Sequence, residues 1–132
     1  RRVFPFRFRF LRADGDLGAA ARMGQEALCP PVVRTVSGQG LPKFRAGRSF
    51  VDLGGDSLIL SAVHAAQDGD GIMVRFFESA GRTQTAAVRV EGATSLERVD
   101  LLGAALDRAP TSGDTAQVEV RPHEIVTLRV RR

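Results

Sequence analysis

Several residue types are scarce or missing in this chain of 132 residues, and each scarcity narrows the possible functions. There is no tryptophan and no tyrosine, the side chains that sugar-binding β domains commonly expose. Cysteine occurs once, as Cys29, so neither an internal disulfide nor a thiolate metal cluster is possible, and a reducing, cytoplasmic compartment is slightly favoured. No run reaches the roughly 20 apolar residues of a membrane-spanning helix, so we expect no membrane partner.

Lysine is almost absent, because Lys43 is the only lysine among 19 cationic residues. The formal net charge is +4, and so many arginines raise the alternative of a basic nucleic-acid-binding domain. In residues 4–10, phenylalanines alternate with Pro5, Arg7 and Arg9, which places the rings and the cations on opposite faces of an extended segment. A base-stacking surface needs both on one face, so we expect no nucleic-acid partner.

The chain opens on Arg1 without an initiator methionine, and we expect it to be a piece of a longer protein. The phenylalanine alternation predicts a strand over residues 4–10 that must lie on a large apolar surface. A helix should follow from residue 17, capped by Asp14 or Asp16, and should end at Cys29 because two prolines come next. A strand over residues 32–36 and then a loop should follow the helix. Residues 1–48 as a whole are predicted to belong to a preceding β domain and its linker.

From residue 49 to residue 132, short alternating runs are separated by turns rich in glycine and aspartate. This pattern is typical of an antiparallel β-sandwich. The predicted strands cover residues 49–53, 57–64, 72–78, 83–90, 95–102, 117–121 and 124–130. The predicted fold class is therefore mainly β, a small antiparallel β-sandwich with one short helix near the N-terminus of the chain.

A search for catalytic motifs finds none. There is no nucleophile elbow, no P-loop and no dinucleotide-binding glycine pattern. The two histidines, His64 and His123, are far apart and lack metal-ligand spacing, and Cys29 has no evident base. We therefore predict no catalytic residue, cofactor-binding residue or metal ligand in this chain.

The segment from Asp68 to Gly71, Asp-Gly-Asp-Gly, has a composition like that of part of a calcium-binding EF-hand loop. If Asp68 and Asp70 stood at the third and fifth positions, the first would be Ala66 and the last Phe77, and neither side chain offers an oxygen. The flanking segments also have strand patterns. The sequence predicts a polar β-turn instead.

Residues 60–78, 99–102 and 120–130 form three segments that resemble the C-terminal region of family 38 glycoside hydrolases, the α-mannosidases. Residues 60–78, LSAVHAAQDGDGIMVRFFE, resemble the family pattern SALKxAEDGDGxILRLYE, with His64 in place of Lys and Gln67 in place of Glu. Residues 99–102, VDLL, are similar to xxDLLE. Residues 120–130, VRPHEIVTLRV, are similar to xxRPFEIxTLRL, with His123 in place of Phe. The order and spacing of the three segments agree with the family.

The resemblance implies a parent enzyme that hydrolyses terminal α-mannosides with retention. In such enzymes an N-terminal α/β domain holds a zinc ion and the nucleophilic aspartate. No motif of that domain occurs in this chain. We therefore expect zinc in a separate catalytic domain and a non-catalytic role here, as a β-sandwich module that packs on and supports that domain.

We expect the loop of residues 67–71, with the strand that follows it, to contact the catalytic domain, through Asp68, Asp70, Arg75 and Glu78. Arg75 and Glu78 are three residues apart in a strand, so their side chains should point to opposite faces. The alternative is an independent carbohydrate-binding module that binds mannosides. Against it, the phenylalanines occupy core-like positions, except for one of Phe76 and Phe77. Linkage specificity and oligomeric state are left open.

Overall fold

The computed structural model describes residues 3–5, 8, 10, 16–33, 47, 49–108 and 111–132. The elements in chain order are α1 (Leu17–Leu28), β1 (Val51–Asp52), β2 (Leu58–Ala65), β3 (Ile72–Glu78), β4 (Gln84–Val90), β5 (Ser95–Val99), β6 (Ala105–Arg108), β7 (Thr111–Ser112), β8 (Thr115–Val120) and β9 (Ile125–Arg131). Within these residues no helix is both long and apolar enough to cross a membrane.

The strands form two antiparallel sheets that face each other. One sheet has four strands in the order β1-β4-β8-β7, and the other has five in the order β2-β3-β9-β5-β6. The prediction of a mainly β antiparallel sandwich with one short N-terminal helix is confirmed for the described part of the chain. β3 matches its predicted bounds, whereas the strand predicted over residues 95–102 ends at Val99, and β6 and β7 were not predicted.

The core lies between the inner faces of the two sheets. On β3 and β9 the residues at alternate positions, such as Val74, Phe76 and Leu128, have no exposed surface. Burial of each such side chain contributes about 1.5–3 kcal/mol, which is why the alternation fixes which face of each strand turns inward. The buried core residues are Leu58, Val74, Phe76, Ala86, Val88, Val90, Ala93, Leu96, Ala116, Val118, Val120, Val126, Leu128 and Val130.

Helix α1 begins and ends as the sequence predicts. The Asp16 carboxylate accepts a hydrogen bond from the Ala19 N–H at 3.0 Å, and the helix ends at Cys29. Arg22 donates to the Asp56 carbonyl oxygen, which joins the helix to the turn before β2.

The strands predicted over residues 4–10 and 32–36 fall partly outside the described residues. Those described there are not in a strand. Phe4, Phe8 and Phe10 are exposed, so the expected burial of these rings on an apolar surface is not found among the described residues. The proposed division at residue 48 stays a prediction.

Candidate functional site

The loop of residues 67–71 is a tight hairpin between β2 and β3. It is closed by hydrogen bonds from the Ala66 N–H to the Gly71 carbonyl oxygen and from the Gly69 N–H to the Ala66 carbonyl oxygen, both 3.0 Å. The Asp68 carboxylate accepts from the Asp70 N–H at 3.1 Å. Gly71 has a φ of 95°, and a Cβ there would overlap the Val130 carbonyl oxygen, so only glycine lets the loop lie against β9.

Both loop aspartates form ion pairs with arginines at the end of β9. Arg129 Nη1 lies 2.9 Å from Asp68 Oδ2, and Arg131 Nε lies 2.7 Å from Asp70 Oδ2. Arg131 also contacts Glu97 Oε2 of β5 at 3.2 Å. The hydrogen bond from the Asp70 N–H and the positive charge of Arg129 hold the pKa of Asp68 below its usual value. Partial desolvation acts in the opposite direction but is outweighed. These arginines project from the face of the five-stranded sheet that points away from the core, here called the outer face.

Arg75 lies on the outer face in the middle of β3. Its Nε donates to Thr127 Oγ1 at 3.1 Å and its Nη2 donates to the Leu101 carbonyl oxygen at 3.2 Å. Its cross-strand neighbours are Ala62 and Thr127, both small. Arg75 is part-buried and is fixed by two hydrogen bonds, and the space around its guanidinium, bordered by Ala62, Thr127 and Leu101, is here called the notch.

A turn after β5 places two leucines beside this notch. The Asp100 carboxylate accepts from the Leu102 N–H at 2.8 Å and from the Ala104 N–H at 2.9 Å, which holds the turn closed. Leu101 is 61% exposed and Leu102 is 92% exposed. A shallow cavity between the turn and the loop is lined by His64, Arg75, Leu101, Leu102 and Arg129, among others. Two exposed leucines and two arginines therefore lie side by side around this cavity.

Glu78 lies at the opposite end of β3 and is only 1% exposed. Its carboxylate accepts from the Ala80 N–H at 2.8 Å, the Gly81 N–H at 2.7 Å, and the Arg82 and His123 N–H groups at 3.2 Å. Burial by itself raises the pKa of Glu78. The hydrogen bonds to its carboxylate, of which that from the His123 N–H has the largest effect, outweigh burial and lower the pKa to about 2. Glu78 therefore ties the β3–β4 turn to the β8–β9 turn.

The structure thus brings three of the four predicted contact residues, Asp68, Asp70 and Arg75, to one region of the outer face and places Glu78 elsewhere. The parity argument for Arg75 and Glu78 is confirmed, since they lie on opposite faces of β3. Whether any of them contacts a catalytic domain stays a prediction.

The described residues offer no metal centre. No group of three or more His, Cys, Asp and Glu side chains converges among them. The Asp68 and Asp70 carboxylates are engaged by Arg129 and Arg131. His64 is exposed beside the cavity, and its Nδ1 lies 2.9 Å from the Ala65 carbonyl oxygen.

A second, more open groove lies between α1, β1 and the start of β2. It is lined mainly by polar residues, glycines and aliphatic residues, among them Arg22, Gln25, Asp52 and Leu60. The described residues that line either cavity include no phenylalanine, tyrosine or tryptophan. The described part of neither cavity therefore provides the kind of aromatic platform on which sugars commonly stack.

The arginine partners of the loop were not identified from the sequence. Thr127, Arg129 and Arg131 alternate with the buried Val126, Leu128 and Val130, so their outward direction was predictable. Their proximity to the loop depends on the pairing of β3 with β9, in which Met73 opposes Arg129. That pairing joins strands about fifty positions apart, for which a single sequence carries no direct signal.

Comparison with known proteins matches residues 57–128 to the model of the glycosyl hydrolases family 38 C-terminal beta sandwich domain. The chain is also 31% identical over 100 residues to a protein of Halalkalibacterium halodurans described as "Putative mannosylglycerate hydrolase". That match spans 76% of this chain and 11% of the relative. Because the family model covers more than half of the chain and the folds agree, this chain belongs to the glycosyl hydrolase family 38 C-terminal β-sandwich family.

Proposed function

We propose that this chain is a non-catalytic module of a family 38 α-mannosidase, which packs on the catalytic domain and supports it while that domain hydrolyses terminal α-mannosides. The family match over residues 57–128 carries the proposal. The name of the relative, which refers to hydrolysis of a mannoside, agrees with the substrate class. The catalytic domain and its zinc ion would lie in another part of the same polypeptide.

The residues favour a supporting role over a catalytic one. Glycoside hydrolysis by two carboxylates requires acids about 5–10 Å apart that flank a bound sugar. The acidic residues on the outer face, Asp68, Asp70 and Glu97, are each paired with an arginine. Glu78 is buried under four backbone N–H donors and lies on the other side of the sheet. Glu78 in this position stabilises the fold, and the outer-face carboxylates are engaged by arginines, which favours a supporting role over a catalytic one.

The test is removal of the module from the intact enzyme. We expect deletion of residues 49–132 to lower the thermal unfolding temperature of the remainder and to reduce turnover of an aryl α-mannoside. The isolated chain, supplied with zinc, should show no turnover of the same substrate. Unchanged stability and turnover after deletion would contradict the supporting role, and steady turnover by the isolated chain would contradict the non-catalytic assignment.

Titration of the isolated chain with mannose and methyl α-mannoside separates the proposed role from independent carbohydrate binding. We expect no saturable binding up to millimolar concentrations, since neither cavity has a phenylalanine, tyrosine or tryptophan among its described lining residues. Saturable binding would favour a carbohydrate-binding module instead.

The compartment is part of the proposal. The free, exposed Cys29 is compatible with a reducing, cytoplasmic environment, where lone thiols persist. Fractionation of the source cells, followed by detection of the enzyme in the cytosolic fraction, would test this assignment.

A further inference from the structure

Three arginines on the outer face, Arg75, Arg129 and Arg131, differ in how their charge is neutralised. Arg129 pairs with Asp68, and Arg131 pairs with both Asp70 and Glu97. Arg75 contacts no carboxylate among the residues that the structure describes; its acceptors there are the Thr127 hydroxyl and the Leu101 carbonyl oxygen. Because Arg75 is part-buried and has no counter-ion among these residues, an acidic group from outside the module would gain charge-assisted hydrogen bonds here.

The surroundings of Arg75 favour a partner group that also covers apolar surface. Leu102, almost fully exposed, stands beside the notch and is held there by Asp100. Arg129 Nε, near the same cavity, is buried and has no acceptor among the described residues. A guanidinium without a carboxylate partner, Arg75, and one Arg129 N–H without an acceptor lie beside two exposed leucines, which indicates a surface that is covered in the native protein.

We infer that the notch around Arg75 receives an aspartate or glutamate side chain of the catalytic domain, with Leu101 and Leu102 packing on apolar side chains around it. The inference rests on the proposed function and specifies which face of the module is in contact. A carboxylate fits because the planar guanidinium, already fixed by Thr127 and Leu101, still has N–H donors to form paired hydrogen bonds with both carboxylate oxygens.

The test is carbodiimide cross-linking of the intact enzyme that carries the Arg75→Lys substitution. Carbodiimide joins an amine to a carboxylate only when the two are in contact, and Lys43 is the only native lysine of this chain, so background within the module is low. We expect mass spectrometry to find the introduced lysine linked to an Asp or Glu outside this chain. Arg129→Lys is the matched control, and its lysine should link to Asp68, which Arg129 contacts at 2.9 Å.

The inference is overturned if the lysine at the Arg75 position forms no link, or links only to a carboxylate within this chain, while the Arg129→Lys control reports Asp68. A second measurement uses Arg75→Gln in the intact enzyme. Protease cleavage between the module and the catalytic domain should accelerate on the order of tenfold or more, as expected for loss of a desolvated charge pair. Arg89→Gln, whose partner Asp114 lies within the module, should not accelerate it.

These outcomes are distinguishable from failure of the proposed function. If deletion of residues 49–132 leaves the enzyme unchanged, the supporting role is wrong whatever Arg75 contacts. If deletion is harmful but Arg75→Gln and Arg89→Gln are cleaved at the same rate, the module supports the enzyme through another face and the inference about Arg75 is wrong.

Discussion

At one end of β3 the Glu78 carboxylate is buried and accepts four backbone hydrogen bonds, whereas at the other end Asp68 and Asp70 are half exposed and pair with arginine side chains. Both ends belong to the segment that carries the family resemblance. The partners differ, however. Backbone N–H groups are fixed parts of two turns, while arginine side chains are long, partly solvated and able to rearrange.

This difference separates a residue that maintains the fold from residues available for contact. A buried carboxylate cannot exchange its N–H donors for water, so its loss leaves several donors unsatisfied. An exposed ion pair loses little when it breaks, because water replaces the partner. A docking surface can therefore be built on the loop end of β3 without loss of fold stability, whereas the Glu78 end cannot be altered in this way.

The largest expected effect is that of Glu78→Ala. Removal of the carboxylate leaves the N–H groups of Ala80, Gly81, Arg82 and His123 without their acceptor, and we expect a loss of about 3–5 kcal/mol in the free energy of unfolding. Urea denaturation followed by circular dichroism measures it. The matched control is Glu119→Ala on the exposed side of β8, which should change stability by less than about 0.5 kcal/mol. Equal losses of stability for the two substitutions would show that Glu78 does not hold the β3–β4 turn to the β8–β9 turn.

The second prediction concerns acid. The pKa of Glu78 is about 2 in the folded chain and starts from 4.5, so the folded state holds fewer protons than the unfolded state between these values. A lowered folded pKa contributes stability that is fully present above the unfolded pKa and is lost as pH falls towards the folded pKa. We expect the free energy of unfolding to decline from about pH 5 to pH 2.

Glu78→Gln tests the origin of that decline. The variant should be less stable than the native chain at pH 7 and should show a shallower loss between pH 5 and pH 2, because the titrating group is gone. If the free energies of unfolding of the two proteins decline in parallel with falling pH, the acid sensitivity comes from other carboxylates.

The third prediction concerns the loop backbone. Gly71→Ala should cost about 1–3 kcal/mol, since the residue has a φ of 95° and its Cβ would meet the Val130 carbonyl oxygen. The matched control, Gly69→Ala, carries only the strain of its φ of 79°, because nothing lies within 4 Å of its Cβ position. We expect it to cost about 1 kcal/mol. If both cost the same in urea denaturation, the close approach of the loop to β9 is not important for stability.

The sequence predicted the elements more fully than the site. Hydrophobic alternation placed β3 and the inner face of β9 because burial leaves strong periodic signals. It failed at residues 100–102, where Leu101 and Leu102 extend the apolar pattern but the Asp100 carboxylate binds the Leu102 and Ala104 N–H groups and ends the strand in a turn. The side-chain hydrogen bonds of Asp100 therefore end the strand there, despite the apolar residues that follow.

The site itself depends on contacts between distant strands. Arg75 and Glu78 were assigned to opposite faces from spacing alone, and the structure agrees. The position of Glu78 under the β8–β9 turn, and the pairing of the loop with Arg129 and Arg131, required the register of β3 against β9. Many outward arginines in this sequence have the same local pattern, so alternation could not select the ones that meet the loop.

The smallest expected effect is that of Asp68→Asn in the chain by itself, and its value depends on what covers the outer face. Asp68 is about half exposed, so loss of its pair with Arg129 should lower the free energy of unfolding only slightly. Urea denaturation at about 0.05 M and 1 M sodium chloride should show the difference from the native chain shrinking with salt, because the pair is screened. In the intact enzyme the same substitution should cost more and depend less on salt, since a covering domain excludes water and ions from the pair. If the loss in the free energy of unfolding is equally small and equally salt-sensitive in both proteins, this end of β3 is exposed to solvent in the intact enzyme. The difference between the two ends of β3 would then arise only from burial within the module.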